Sequence, residues 1–313
     1  MDPDQFFAAS RVVIVAGKGG VGKTVVTASL ARAAASRGLD VLVVDVQGGT
    51  SLGSMFGAPQ LTYDTVTLWD DASGGQVRGR LLSPDEALVE WLEDHGMKRV
   101  ARRMARSGVL EVVATATPGI KDLLVLAKVK QLERAGAADL ILIDAPAAGH
   151  AITFMQSPAT LAETARVGAI NRQAAEVLEM LGDRARCRVV LVTLPEETPV
   201  NELVETAFAL EDEVGVALAP VVVNGVYPVL DGLEGDPPRA PNEVLPDLQA
   251  AAALRWRRQH LQANQIARLA AALPLEQLML PQRFGSELSR DDIGDFADDL
   301  LAAIGALPDQ VLA

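Results

Sequence analysis

The string Gly17-Lys18-Gly19-Gly20-Val21-Gly22-Lys23-Thr24 lies between an apolar run, Val12 to Ala16, and a helix-length segment, Val25 to Arg37, that stops at Gly38. No other feature restricts the fold as tightly. Glycines at this spacing let successive backbone N–H groups turn toward one anion, and the N-terminus of the following helix adds a favourable dipole. A loop of this kind cradles phosphates: Lys23 is placed to reach the β- and γ-phosphates of a nucleotide, and the Thr24 hydroxyl to ligate magnesium. The candidate nucleotide-binding residues here are Gly17, Lys18, Gly19, Gly20, Val21, Gly22, Lys23, Thr24 and Val25.

Val41 to Asp45, Leu140 to Asp144 and Val189 to Leu194 are further apolar runs bounded by turn or helix signals, the pattern of strands buried on both faces. Ala219 to Asn224 has the same character, and Leu275 to Leu280 is a weaker sixth run. Ser157-Pro158 predicts an N-cap and first-turn proline for a helix running to about Gly182, and Thr198-Pro199 the same for one ending near Gly215. Strands alternating with helices of this length predict a mostly parallel, doubly wound α/β sheet, and the phosphate loop that opens it marks the P-loop NTPase class. Residues 61–138 break the alternation. Apart from one candidate strand, Leu110 to Thr115, they read as a mainly helical subdomain embedded at one edge of the sheet. Residues 227–245, with Pro228, Gly232, Gly235, Pro237, Pro238 and Pro241, are expected to form a mobile surface loop. With no internal repeat and one phosphate loop, residues 1–313 read as a single domain.

Two carboxylates extend the candidate site. Asp45 ends its strand inside Val43-Val44-Asp45-Val46-Gln47-Gly48-Gly49, where it faces the crevice in which open α/β sheets bind ligands. It can orient or deprotonate a water attacking the γ-phosphate, or simply cap the turn that follows. Asp144 ends Leu140-Ile141-Leu142-Ile143-Asp144, a hydrophobic strand closing on the carboxylate that would hold Mg2+ together with Thr24.

Composition narrows the partners. The chain has 41 acidic and 28 basic side chains, a formal charge of -13, and one cysteine. That balance opposes a nucleic-acid or anionic-membrane footprint, since both need clustered cations. Lys98, Arg99, Arg102, Arg103 and Arg106 are the one basic cluster, read as the solvated face of a helix whose other face carries Leu88, Trp91, Leu92, Met97, Val100 and Met104. Cys187 stands alone before a strand and reads as an inert core thiol. No apolar run approaches the roughly 20 residues of a membrane span, and the acidic start, Met1-Asp2-Pro3-Asp4-Gln5, is unlike a secretory signal. The expectation is a cytoplasmic protein with no nucleic-acid partner and no direct membrane insertion.

The loop and the segment after Asp144 carry a closer likeness. Lys18-Gly19-Gly20-Val21-Gly22-Lys23-Thr24 resembles the deviant Walker A motif of the ATPase class that includes MinD, ParA and the ArsA group. Asp144-Ala145-Pro146-Ala147-Ala148-Gly149-His150, with the run to Pro158, resembles switch II of the ArsA and guided-entry (tail-anchor targeting) ATPases, anion-transporting ATPase-like proteins. Leu194-Pro195-Glu196, followed by Glu202, resembles their segment whose glutamate contacts nucleotide, and Val221-Val222-Val223-Asn224 their adenine-binding strand end.

The resemblance implies an Mg-ATP-dependent dimeric switch ATPase, a homodimer or a heterodimer with a related chain, coupled to a hydrophobic client or membrane-protein partner. It implies Lys18 acting in trans on the partner's phosphates, Asp45, Lys18 and Lys23 as the catalytic set, and Glu196 and Asn224 at the nucleotide. Asp144, Ala145, Pro146, Gly149 and His150 would form the moving switch. No guanine-reading aspartate follows Asn224, which favours ATP over GTP. The likeness departs at switch I, where Asp45-Val46-Gln47-Gly48-Gly49 keeps the aspartate and loses a proline and an asparagine, and at Val25, where a second threonine is expected. A lone Cys187 disfavours metalloid binding and a zinc clasp. The alternatives are a MinD- or ParA-like positioning ATPase, which the acidic charge opposes, and a weakly hydrolysing regulatory ATP-binding subunit.

Overall fold

The structure, a computed structural model, describes residues 1–48, 51–94, 96–99, 118–165, 167–233, 235, 246–285 and 288–309. In its first half the chain runs α1 (Pro3–Ala8), β1 (Val12–Gly17), α2 (Lys23–Ser36), β2 (Asp40–Asp45), α3 (Ser51–Met55), β3 (Val66–Asp70), β4 (Gln76–Leu81), α4 (Pro84–Asp94) and α5 (Ile120–Arg134). The second half runs β5 (Leu140–Ala147), α6 (Ala148–Thr164), α7 (Ala169–Gly182), β6 (Cys187–Thr193), α8 (Glu197–Ala209), β7 (Ala217–Leu218), β8 (Val221–Val226), α9 (Pro246–Ala272), β9 (Gln277–Pro281) and α10 (Arg290–Gly305).

Nine strands form one sheet in the order β3-β4-β2-β5-β1-β6-β8-β9, with β7 pairing β6. All pairings are parallel except β3 with β4. Alternate residues of each central strand face opposite layers, which is why these strands are apolar throughout. Ile141 and Ile143 point into one core with Leu123 and Leu126 of α5, Phe154 and Met155 of α6, Val177 of α7 and Leu203 of α8. Leu140 and Leu142 point into the other with Leu30 of α2 and Ile293, Phe296 and Leu300 of α10. Each such side chain, fully buried, contributes about 1.5–3 kcal/mol relative to an exposed one.

Three local expectations are corrected. The region from residue 61 opens with two strands: β3 and β4 form an antiparallel hairpin that extends the sheet beyond β2. Helix α4 stops at Asp94, with the Gly96 N–H bonded to the Glu93 carbonyl and Gly96 at φ 76°, so Met97 is not on the helix of Leu88 and Trp91. Ser157-Pro158 lies inside α6 rather than at a helix start. Proline cannot donate to the carbonyl four residues back, and the Ser157 hydroxyl donates to that Phe154 carbonyl instead, at 3.0 Å. The break between α6 and α7 comes at Gly168, φ 106°. The candidate strand Leu110 to Thr115, together with Val100, Arg102, Arg103, Met104, Arg106 and residues 236–245, lies outside the described residues.

Candidate functional site

The phosphate loop follows β1 at the C-terminal edge of the sheet, with β5 and β6 on either side. Two of its glycines are closely approached by their neighbours. A Cβ on Gly17 would stand 2.3 Å from the Val192 carbonyl oxygen, and one on Gly22 would stand 2.2 Å from Asn224 Nδ2. Gly22 also holds φ 91° as the residue before α2, a conformation that favours glycine. No side chain caps α2, so its first-turn N–H groups remain directed at the loop. Gly19 and Gly20 are exposed at the mouth, Val21 is buried beneath it, and Val25 is partly buried in the first turn of α2.

Lys23 is buried, and its ammonium donates to the Lys18 carbonyl at 3.3 Å. Burial holds its pKa below the ordinary lysine value, partly offset by the Asp144 carboxylate. Asp45 and Asp144 are register partners on β2 and β5, so the two carboxylates stand side by side at the ends of adjacent strands. Asp144 Oδ2 accepts from the Thr24 hydroxyl at 2.7 Å, while its Oδ1 is buried with no partner among the described residues. Burial, reinforced by the Asp45 charge, pushes the Asp144 carboxyl up to about 6. Thr27 is fully buried behind the pair, its hydroxyl donating to the Lys23 carbonyl at 2.9 Å.

An orphaned carboxylate oxygen beside a threonine hydroxyl is a hard, oxygen-only donor set that suits Mg2+. Among the described residues no group of three or more His, Cys, Asp or Glu could hold an ion. Mg2+ takes few protein ligands and completes its shell from phosphate and water.

Asp45 is buried, and its Oδ1 accepts from the N–H groups of Gln47 at 2.8 Å and Gly48 at 3.1 Å. That oxygen therefore caps the turn that follows β2. Gln47 Nε2 donates to the Ala145 carbonyl at 3.0 Å and so links the turn after Asp45 to the end of β5. The sequence reading named Gln47 only as part of an altered string; its position two residues after Asp45 is the signal that could have singled it out. Pro146 is partly buried within β5, which continues past Asp144 to Ala147, while Gly149 and His150 are exposed in the first turn of α6.

Asn224 reaches the loop, and Glu196 stands at the N-terminus of α8. Asn224 Nδ2 donates to the Val21 carbonyl at 2.9 Å. Glu196 is exposed at the N-cap of α8, and its side chain makes no capping bond. Glu202, six residues further along, also meets the loop: Lys18 Nζ lies 2.5 Å from its Oε1. The apolar positions Leu123, Leu126 and Val129 of α5 belong to the core. Cys187 is fully buried, and burial pushes its thiol up to about 12, as an inert core thiol requires.

A strand, a glycine loop and a helix, flanked by an aspartate on each of two neighbouring parallel strands, define a P-loop nucleotide-binding protein of the α/β class. The family model described as anion-transporting ATPase matches residues 10–173. The chain belongs to that family. It is 30% identical over 225 residues to ATPase BagA of Mycobacterium tuberculosis, a match covering 70% of this chain and 66% of that protein. It is 27% identical over 202 residues to ATPase get3 of Neurospora crassa, covering 62% of this chain and 55% of that protein. The chain thus spans just under two thirds of the first relative's length and little more than half of the second's.

Proposed function

We propose that this chain is an Mg-ATP-dependent switch ATPase that works as a dimer, either with itself or with a related chain. The observation that carries the reading is the arrangement around Asp144. One of its oxygens is bonded to Thr24 and the other is buried and unpartnered, beside a loop that holds Lys23. Thr24 and Asp144 would hold Mg2+, which when bound neutralises charge on the phosphates. Lys23 and the first-turn N–H groups of α2 bind and orient the phosphates, and Asn224 holds the loop from below with its Oδ1 left to meet an adenine edge. The second oxygen of Asp45 orients the attacking water and accepts its proton.

Gln47 passes the change at switch I to the Ala145 carbonyl, and from there along Pro146 and Gly149 to His150 at the start of α6. A hydrophobic client or membrane-protein partner would respond to that movement, in the cytoplasm. No helix among the described residues is long and apolar enough to cross a membrane.

A second reading, a regulatory subunit that binds ATP and hydrolyses it weakly, draws support from Asp45 Oδ1, which is already committed to two backbone N–H groups. ATP turnover measured together with mass by light scattering separates the two. Wild type is expected to hydrolyse ATP and to gain mass with it. Asp45→Asn should bind ATP and lose about 10²-fold or more in kcat. Association without turnover in wild type supports the regulatory subunit, and neither turnover nor a change in mass overturns the nucleotide-switch reading.

A further inference from the structure

We propose that Glu202 is a positioning residue that parks Lys18 within its own chain until nucleotide draws the lysine away. The inference rests on the nucleotide-dependent association proposed above and assigns that association an internal competitor.

Lys18 is held in two places. Its ammonium lies 2.5 Å from Glu202 Oε1, and its carbonyl accepts from Lys23 Nζ at 3.3 Å. The second contact is borrowed, because Lys23 is the cation that a phosphate in the loop would take. Once Lys23 turns to phosphate, the Lys18 main chain loses that contact and Glu202 alone restrains the side chain. The Lys18 and Glu202 side chains are 37% and 39% exposed, so water and salt weaken the pair. An attraction of this size biases the lysine without trapping it, and a phosphate bearing more than one charge outcompetes a single half-exposed carboxylate.

The arrangement belongs to the tertiary fold. Lys18 directly follows the last residue of β1 and Glu202 lies on α8, and the two are 184 residues apart in sequence. Helix α8 packs against β6, the neighbour of β1, and that packing brings the carboxylate over the loop. Thr206, one turn on, is buried and donates to the Glu202 carbonyl at 2.6 Å, anchoring this stretch of helix.

Two measurements test the proposal. Reductive methylation followed by mass spectrometry, without nucleotide, should label Lys18 faster in Glu202→Gln than in wild type, with Glu202→Asp in between. Equal labelling in wild type and Glu202→Gln overturns the parking contact, whether or not the chain binds ATP. In the second, light scattering follows association against the concentration of a non-hydrolysable ATP analogue with Mg2+. Glu202→Gln should reach half-maximal association at about two- to fivefold lower analogue than wild type. The gain should shrink at high salt and vanish in a Lys18→Gln background. Weaker association in Glu202→Gln overturns the proposal, because Glu202 would then act in the nucleotide-bound assembly. Failure of wild type itself to bind the analogue overturns the switch reading, while the labelling experiment still decides the Lys18–Glu202 contact.

Discussion

Asp144 shows how one side chain sets stability and ligand affinity against each other. Its carboxyl titrates near 6 in the folded chain, against 3.8 for an ordinary aspartate, chiefly because burial disfavours the charged form. The folded chain therefore holds this proton more tightly than the unfolded chain does. The resulting stabilisation is present below about pH 4 and is lost as pH rises toward 6, and at neutral pH the buried charge costs about 3 kcal/mol. Asp144→Asn should raise the stability of the ligand-free chain at pH 7 by about 2–3 kcal/mol and leave it nearly unchanged at pH 4, as read by urea denaturation. In the proposed function the same charge attracts Mg2+, so nucleotide affinity in the presence of Mg2+ should fall as pH drops through 6, by calorimetry, and should be weak and flat with pH in Asp144→Asn. A variant that is no more stable at pH 7 would show that Asp144 is compensated within the fold.

At the scale of elements, helix α6 holds an interior proline because its neighbour covers the defect. Pro158 cannot bond the Phe154 carbonyl, and the buried Ser157 hydroxyl does so. Ser157→Ala should cost about 1–2 kcal/mol by leaving that carbonyl unpaired, and Ser157→Ala with Pro158→Ala should recover part of the loss by restoring a backbone N–H. Equal denaturation midpoints for the single and double variants would refute this compensation. The pair also explains why the sequence misled at this point. Serine followed by proline is a helix-start signature, and nothing local says that the hydroxyl will turn back to a carbonyl instead of capping an N-terminus. The central strands were legible because burial on both faces leaves an unbroken apolar run, as in Leu140 to Ile143. The β3–β4 hairpin was not, because β3 is mostly solvent-exposed and β4 interleaves Arg78 and Arg80 with its buried Val77. Around the site, the loop, Asp45 and Asp144 could be read from local pattern. The Lys18–Glu202 and Gln47–Ala145 contacts could not, since each joins residues far apart in the chain.

Over the whole molecule, one indole helps to fasten the edge hairpin to the helical layer. The guanidinium of Arg32, on α2, lies 3.9 Å from the Trp69 ring centroid, and that of Arg290, on α10, lies 4.1 Å from it. Arg32 Nη1 also donates to the Arg290 carbonyl at 2.8 Å. Trp69 thus joins an edge strand to two helices on one face of the sheet. Trp69→Ala should cost about 2–3 kcal/mol, from two cation–π contacts and the lost indole surface, whereas Trp69→Phe keeps a ring and should lose about half as much. Equal losses in the two variants, measured by chemical denaturation, would show that the ring stacking contributes little.

The position of β1 in the sheet has a consequence for how such a chain is made. β1 is complete at Gly17, yet its two neighbours are β5, from Leu140, and β6, whose Val192 pairs with Gly17. During synthesis the first strand therefore emerges with both edges open, and its apolar side chains wait for more than half of the chain to follow. Such long-range parallel pairing is slow to form and leaves strand edges available to other chains in the meantime. The phosphate loop is complete in sequence at Thr24, but its cradle takes shape only when the chain has been translated past residue 192.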